Sequence, residues 1–165
     1  MYADGSESNK TSCKTTVQPN TLSAYFENAG FTIPNIFSSH YNECTIEFMI
    51  YPTAFKNYNC EAGPGWGTYM QHFNSDGTFT CGWATGQHRI TSSKAFTLNE
   101  WQHVAIVIKD NSITLYRNGV SMGNATSPQF SGIGGFGDLV FTSSGENKCQ
   151  NAKYDEIRIW NYARS

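Results

Sequence analysis

The chain consists of short runs in which hydrophobic and polar residues alternate or β-branched residues cluster, and Gly, Asn and Asp separate these runs. Such runs are typical of β-strands, and no stretch has the period of an amphipathic helix. The run 104–108 is apolar on both faces and predicts a central strand covered on both sides, whereas 113–116 alternates and predicts a half-exposed strand. The predicted strands are Ser23–Glu27, Phe31–Ile33, Cys44–Tyr51, Thr68–Phe73, Thr78–Trp83, His103–Lys109, Ile113–Arg117, Leu139–Thr142 and Asp155–Trp160.

Turn residues indicate how these strands connect. Asp110-Asn111 and Asn118-Gly119 are two-residue connections that suit type I′ turns, so they predict three consecutive antiparallel strands. The glycine of 74–78 predicts a three-residue loop, Ser75 to Gly77, that ends in a left-handed bulge. A two-residue turn would instead shift the pairing by one residue and place Met70 opposite Trp83. With the longer loop the opposite pairs are Tyr69 and Trp83, Gln71 and Cys81, and Phe73 and Phe79.

Composition fits one globular domain and excludes several classes of partner. The length of 165 residues suits one hydrophobic core, and 15% aromatic residues with 15 Gly argue against disorder and coiled coil. The 11 basic and 13 acidic residues give a net charge of −2, so no basic surface is available for nucleic acid. No apolar stretch approaches the ~20 residues of a membrane span. Residues 1–12 are interpreted as a linker or added leading segment, and residues 13–165 as a single domain.

The cysteines do not have the spacing of a metal or redox motif, because no Cys-x-x-Cys occurs. One or two disulfides would place the chain in an oxidising, extracytoplasmic compartment, with one thiol left over. Cys60 and Cys81 flank a hairpin-like segment and are the favoured pair. The alternative is that the cysteines are buried, unpaired and act as small apolar residues. The five are Cys13, Cys44, Cys60, Cys81 and Cys149.

Four segments in a characteristic order resemble the motif set of laminin-G-like domains, which belong to the concanavalin A-like lectin and glucanase superfamily. The segments are 45–52 (TIEFMIYP), 101–107 (WQHVAIV), 113–120 (ITLYRNGV) and 154–165 (YDEIRIWNYARS). The resemblance implies a two-sheet antiparallel jelly-roll sandwich whose first and last strands are neighbours. It also implies carbohydrate binding as the commonest role. Because the matched positions are mainly core and turn residues, the ligand must be sought elsewhere.

The sequence argues against catalysis. Glycoside hydrolysis needs two carboxylates facing one cleft, and the alternating acidic run of related glucanases is absent. Two other acidic pairs do not replace this run. Glu43 and Glu47 are four positions apart, with Cys44 and Ile46 between them, and positions 155 and 156 are consecutive and so face opposite sides of a strand. No histidine lies beside a Gly-x-Ser-x-Gly elbow, and His103, inside a family motif, is expected to be structural.

A formal match to the dinucleotide-binding fingerprint occurs at Gly132, Gly134 and Gly137. It precedes a predicted strand instead of following one and opening a helix, so no helix N-terminus is available for a pyrophosphate. We interpret this segment as a loop between strands.

Candidate glycan contacts surround the middle hairpin. Trp66 lies in a Gly/Pro-rich loop, where an indole is hard to bury, and an exposed aromatic ring beside polar groups can receive the apolar face of a sugar. Arg89 could pair with a carboxylate or sulfate on an acidic sugar. For each aromatic the alternative is ordinary packing, and for His72 it is a sheet histidine facing a threonine. The candidate ligand-binding residues are Trp66, Tyr69, Gln71, His72, Trp83, Gln87, His88 and Arg89.

Calcium is the one cofactor that the resemblance implies, as a structural or ligand-bridging ion. Hard cations need several oxygen ligands, and the chain has no contiguous Asp-rich loop. Asp155 with Glu27 or Asn28 is the candidate metal site, on the condition that the first and last strands are neighbours.

The sequence therefore predicts a non-catalytic, lectin-like carbohydrate-binding module of a secreted or cell-surface protein. Its expected partner is a glycan or polysaccharide, without nucleic acid or membrane insertion, and we expect it to be appended to other domains. The first alternative is a protein-interaction or adhesion domain of the same fold. The second is a glucanase-like glycoside hydrolase.

Overall fold

The computed structural model of the chain describes residues 22–27, 31–55, 69–83, 89–128, 132–135, 137–141 and 151–165. Within these ranges it is built from antiparallel strands. None of the described residues forms a helix long and apolar enough to cross a membrane. The strands are β1 (Ala24–Phe26), β2 (Phe31–Phe37), β3 (Cys44–Ala54), β4 (Tyr69–Phe73), β5 (Phe79–Trp83), β6 (Arg89–Thr91), β7 (Gln102–Lys109), β8 (Ser112–Arg117), β9 (Val120–Thr126), β10 (Gly137–Phe141) and β11 (Asn151–Trp160).

Two layers enclose one hydrophobic core. A six-stranded sheet has the order β1-β11-β3-β7-β8-β9, and the other layer holds the pair β10-β2 and the three-stranded sheet β4-β5-β6. Alternation along β3 and β7 sends every second side chain inward, because successive residues of a strand point to opposite faces. The fold is the jelly-roll sandwich that the sequence predicts. Its largest fully buried side chains are Phe37, Phe48, Phe73, Ile46, Ile50, Ile106, Ile108, Ile113 and Leu115.

The predicted strands are present, with differences at their ends. β1 pairs with β11, as the family resemblance implies for first and last strands. β11 begins at Asn151 and not at Asp155, because residues 151–154 pair with β3 and residues 152–154 also pair with β1. β6 was not predicted, since three residues at a sheet edge leave little periodic pattern, and β9 was predicted only as the strand after the Asn118-Gly119 turn, without bounds.

The turns follow the local sequence. Asp110 and Asn111 have φ of 50° and 58°, and Asn118 and Gly119 have 50° and 76°, as a type I′ turn requires. In the three-residue loop, Gly77 has φ of 81° and its N–H donates to the Asn74 carbonyl at 2.9 Å. The resulting β4–β5 register confirms the three predicted pairs, Tyr69 with Trp83, Gln71 with Cys81 and Phe73 with Phe79.

The predicted Cys60–Cys81 disulfide is wrong in this structure, because Cys81 is a free thiol; Cys60 lies outside the described residues. Cys44 and Cys81 are fully buried in the core, which is the alternative role of small apolar residues. Burial disfavours the charged thiolate, so it raises the pKa of Cys44 to about 12 and the pKa of Cys81 further still.

The glycines of the formal dinucleotide fingerprint allow two backbones to approach closely. Residue 133 forms a β-bridge with Tyr41. A Cβ atom on Gly132 would lie 2.2 Å from the Tyr41 carbonyl oxygen, and one on Gly134 would lie 2.1 Å from the Ser39 carbonyl oxygen. Gly137 opens strand β10, so the segment is a loop before a strand, as predicted.

Candidate functional site

Three of the eight predicted glycan contacts have their backbones at one end of the three-stranded sheet. Tyr69 begins β4 and is the partner of Trp83, the last residue of β5. Arg89 begins β6 and is the partner of Gly82, and its side chain is exposed. The register therefore brings the backbones of Tyr69, Trp83 and Arg89 together at the end of the sheet where β4 and β6 begin and β5 ends. We call this end the open end of the β4-β5-β6 sheet.

The other predicted contacts divide into two groups. Gln71 and His72 lie further along β4, and His72 is the register partner of Thr80, a buried threonine. Trp66, Gln87 and His88 lie outside the described residues. They belong to the two segments, 56–68 and 84–88, that directly precede Tyr69 and join Trp83 to Arg89.

Two of the three proposed metal ligands, Glu27 and Asp155, do not come together. β1 and β11 are neighbours, but Phe26 pairs with Ala152 and Ala24 pairs with Tyr154. Glu27 therefore lies beyond one end of the pairing and Asp155 beyond the other, about 13 Å apart at 3.3 Å per residue. Asn28 lies outside the described residues. The described part of the chain holds no group of three or more His, Cys, Asp or Glu residues able to bind a metal ion.

A charged cluster that the sequence did not predict lies on the outer face of the six-stranded sheet. Glu47 projects from β3 and is only 5% exposed. The Trp160 indole N–H donates to Glu47 Oε1 at 3.1 Å, and Arg164 Nη1 donates to the same oxygen at 2.7 Å. His103 Nε2 lies 3.7 Å from Glu47 Oε2. One carboxylate thus joins β3, β7, β11 and the C-terminal residues of the sequence.

Residues 161–165 lie across this outer face and are fixed by further hydrogen bonds. The Arg164 N–H donates to Thr45 Oγ1 at 3.0 Å, and the Thr45 hydroxyl donates to the Tyr162 carbonyl at 3.0 Å. The Arg164 guanidinium lies 4.7 Å from the centre of the Trp160 ring, a cation–π contact. These contacts explain why Thr45 and Glu47 are buried although they point away from the core.

A cavity of about 320 Å³ lies between this segment and the neighbouring strands. Its floor is Ala105, which is the register partner of both Glu47 and Tyr116. A small residue between two large ones leaves the depression. The prediction that β7 is covered on both faces therefore holds for Ala105, which is 9% exposed, but Val107 is only half-buried.

Three carboxylates of the described residues, those of Glu43, Glu47 and Glu156, are engaged in structural contacts. Glu43 Oε2 accepts the Ala163 N–H at 3.1 Å and Glu43 Oε1 lies 3.7 Å from Lys109 Nζ, while Glu47 is bound as described above. Glu156 accepts a hydrogen bond from Arg158. A retaining or inverting pair needs two carboxyl groups free to face a substrate, and these groups face protein cations instead.

Solved structures similar to this chain at low identity include two sugar-bound domains and the binding domain of a mosquitocidal protein. Domain 4 of AbnA, an extracellular GH43 arabinanase from Geobacillus stearothermophilus, in complex with arabinotriose, gives a TM-score of 0.69 at 16% identity over 87% of this chain and 72% of that one. The CBM40 of a Ruminococcus gnavus IT-sialidase, bound to α2,3-sialyllactose, gives 0.58 at 10% identity over 85% and 95%. The binding domain of Paraclostridial Mosquitocidal Protein 1 gives 0.62 at 17% identity over 88% of this chain, which spans only 44% of that protein.

At these identities the similarity establishes the fold alone. Comparison with curated proteins gave no significant match. A family model described as the concanavalin A-like lectin/glucanases superfamily, of the third laminin-G type, matches residues 24–165. Because that match covers most of the chain, the protein belongs to the concanavalin A-like lectin/glucanase superfamily.

Proposed function

We propose that this chain is a non-catalytic glycan-binding module of an extracytoplasmic protein, with its binding site at the open end of the β4-β5-β6 sheet. The observation that carries the site is the register, which brings the backbones of Tyr69, Trp83 and Arg89 to one sheet end, with the Arg89 side chain exposed. The segments that carry Trp66, Gln87 and His88 adjoin the same strand ends. Family membership and structural neighbours with bound sugars support the ligand class.

The chemistry of the gathered residue types suits a saccharide. Aromatic rings cover the apolar face of a pyranose, while guanidinium, imidazole and amide groups bond its hydroxyls. Arg89 adds an exposed cation for a carboxylate or sulfate. A single shallow site of this kind binds weakly, so the parent protein would gain affinity from several copies or from neighbouring domains.

Binding without hydrolysis is the better proposal because the carboxylates of Glu43 and Glu47 are already engaged in hydrogen bonds within the protein. Glu47 receives hydrogen bonds from Arg164 and Trp160, and Glu43 from the Ala163 N–H. Releasing Glu47 for acid–base chemistry would leave its partner cations without a carboxylate, at a cost of about 2 kcal/mol, since Arg158 and Arg164 are partly solvated.

The test is a glycan array probed with the chain of 165 residues displayed on streptavidin, which raises the avidity of weak sites. We expect selective binding to a set of related glycans. Trp66→Ala, Trp83→Ala and Arg89→Ala should each weaken that binding about tenfold or more, in line with loss of one aromatic or charge-assisted contact.

Tyr162→Ala is the matched control, because Tyr162 is an aromatic residue 47% exposed on the outer face and away from the proposed site. Arg89→Ala also distinguishes lost binding from misfolding, because Arg89 is exposed and its replacement should leave the unfolding midpoint unchanged. If the folded variants bind every glycan as the parent does, the placement of the site is wrong. A chain that binds no glycan but retains a protein partner would support the adhesion alternative.

A further inference from the structure

A row of outward-facing side chains crosses one end of the six-stranded sheet. Lys153 of β11 is the register partner of Tyr25 of β1 on one side and of Tyr51 of β3 on the other. Their neighbours along each strand, such as Tyr154 and Ile50, are buried, so these three point away from the core. Trp101, just before β7, extends the row, with its ring centre 5.6 Å from that of Tyr51. We call Tyr25, Lys153, Tyr51 and Trp101 the outer strip.

A cation lies at the centre of the strip. The Lys153 ammonium sits 4.9 Å from the centre of the Tyr51 ring, which positions the charge without neutralising it. Among the described residues Lys153 forms no ion pair. The strip therefore presents an available positive charge, unlike the arginines around Glu47.

An exposed aromatic ring flanks the cation on each side. Tyr25 is 51% exposed and Trp101 is 40% exposed. Exposed aromatic side chains that lie together in one patch, unlike single scattered ones, mark a surface that binds a ligand or partner. From Tyr25 to Trp101 the strip spans three strand spacings, about 14 Å, which is the length of a short oligosaccharide and not of a single sugar.

We propose that the outer strip is a second saccharide site, separate from the open end of β4-β5-β6, and that it binds an acidic oligosaccharide. Lys153 would pair with the carboxylate or sulfate of one sugar, and Trp101 and Tyr25 would receive the apolar faces of the sugars on either side. The site lies outside the core layer, on the side of the sheet that faces away from β4, β5 and β6.

The geometry narrows the ligand further. The Tyr51 and Trp101 rings are inclined by 59°, so they do not form one flat platform. Two rings inclined in this way suit a single twisted saccharide chain and not the flat surface of a crystalline polysaccharide. Asp155 follows two residues along β11 on the same face, about 7 Å from Lys153, so the anionic group must sit on the far side of the lysine.

Titration calorimetry of the chain with three hexasaccharides tests the proposal: hexagalacturonate, a sulfated heparin fragment and neutral cellohexaose. We expect at least one acidic hexasaccharide to bind more tightly than cellohexaose, and the two acidic ligands separate carboxylate from sulfate recognition. Binding should weaken as salt rises, because an exposed ion pair is screened. Inorganic sulfate alone should not compete at equal concentration, because it lacks the sugar faces.

Variants identify the strip. Lys153→Met and Trp101→Ala should weaken acidic binding about tenfold, while Lys153→Arg and Trp101→Phe, which keep the charge and the ring, should stay within about threefold. Asp155→Asn should strengthen acidic binding about two- to threefold by removing a like charge. Tyr162→Ala is again the exposed aromatic control.

Acidic hexasaccharides that bind no better than cellohexaose, or that bind Lys153→Met and Trp101→Ala as they bind the parent, overturn the proposal. Arg89→Ala distinguishes binding at the outer strip from binding at the open end of β4-β5-β6. If Arg89→Ala abolishes all binding, the outer strip is not a site although the glycan-binding function stands. If Arg89→Ala retains acidic binding that Lys153→Met removes, the strip stands and the open end of β4-β5-β6 is not that ligand's site.

Discussion

Glu47 is the residue whose loss should most clearly reveal how the C-terminal residues of this sequence are fixed to the sheet. We consider Glu47→Gln, which preserves shape and one acceptor oxygen but removes the charge. The Glu47 side chain is 6% exposed, and its Oε1 accepts hydrogen bonds from Arg164 Nη1 at 2.7 Å and from the Trp160 indole N–H at 3.1 Å. Hydrogen bonds to charged groups contribute about 1.5–3 kcal/mol each, and breaking a buried pair costs about 3–5 kcal/mol.

The partner cations reduce that cost. Arg164 and Arg158 are 45% and 44% exposed, so water can solvate them when the carboxylate is gone. We therefore expect Glu47→Gln to lower the free energy of unfolding by about 2 kcal/mol, near the lower end of the range. For a domain of this size that corresponds to a fall in Tm of about 4–8 °C.

The assay is urea unfolding followed by tryptophan fluorescence, with a double-mutant cycle that adds Arg164→Met. We expect a coupling energy of about 1–2 kcal/mol, because the two side chains contact each other directly. Glu43→Gln is the matched control: Glu43 is 37% exposed and its ion pair with Lys109 is long, so its loss should cost less than about 1 kcal/mol. A loss below about 0.5 kcal/mol for Glu47→Gln, or no coupling to Arg164, would refute the inference that the cluster anchors these residues.

Three other predictions concern the core, the loops and the acid response. Gly132→Ala should destabilise the protein by about 3 kcal/mol in urea unfolding, since its Cβ would meet a backbone oxygen. Gly135→Ala, with φ of 78° but open space, should cost only about 1 kcal/mol, and equal losses would contradict the close-approach argument. Burial raises the pKa of both core thiols, to about 12 for Cys44. Iodoacetamide at about pH 8 should therefore label Cys44 and Cys81 in the native protein at least a hundredfold more slowly than after unfolding. Rapid labelling of the native protein, found by peptide mapping, would show that the thiols are accessible. Hydrogen bonds from the Thr78 hydroxyl and N–H lower the pKa of Asp76. The contribution of Asp76 to stability is therefore complete above its unfolded pKa of about 3.9 and is lost as the pH falls through the lower native pKa. Asp76→Asn should make the fall in Tm at acid pH less steep, and an unchanged profile of Tm against pH would exclude Asp76 as a contributor.

The turns and the β4–β5 register were predictable because their causes are local. A type I′ turn depends on the backbone preferences of two residues, and Asn118-Gly119 supplies both. Likewise the loop that ends at Gly77 fixes the pairing of Phe73 with Phe79 without reference to the rest of the chain. The ends of β11 were less predictable, because Asn151 joins the sheet through pairing with Ala54, a residue far away in the sequence.

The alternation of strands, the turn types and the superfamily could be predicted from the sequence, because they follow from short-range periodicity and motif order. Which distant residues meet depends on the tertiary structure. It placed Arg164 on Glu47, 117 positions apart, separated Asp155 from Glu27 by register, and aligned Tyr25, Lys153, Tyr51 and Trp101 across four chain segments. The physical reason is that strand order and register depend on how the whole core closes, and a one-residue shift would send each of these side chains to the opposite face.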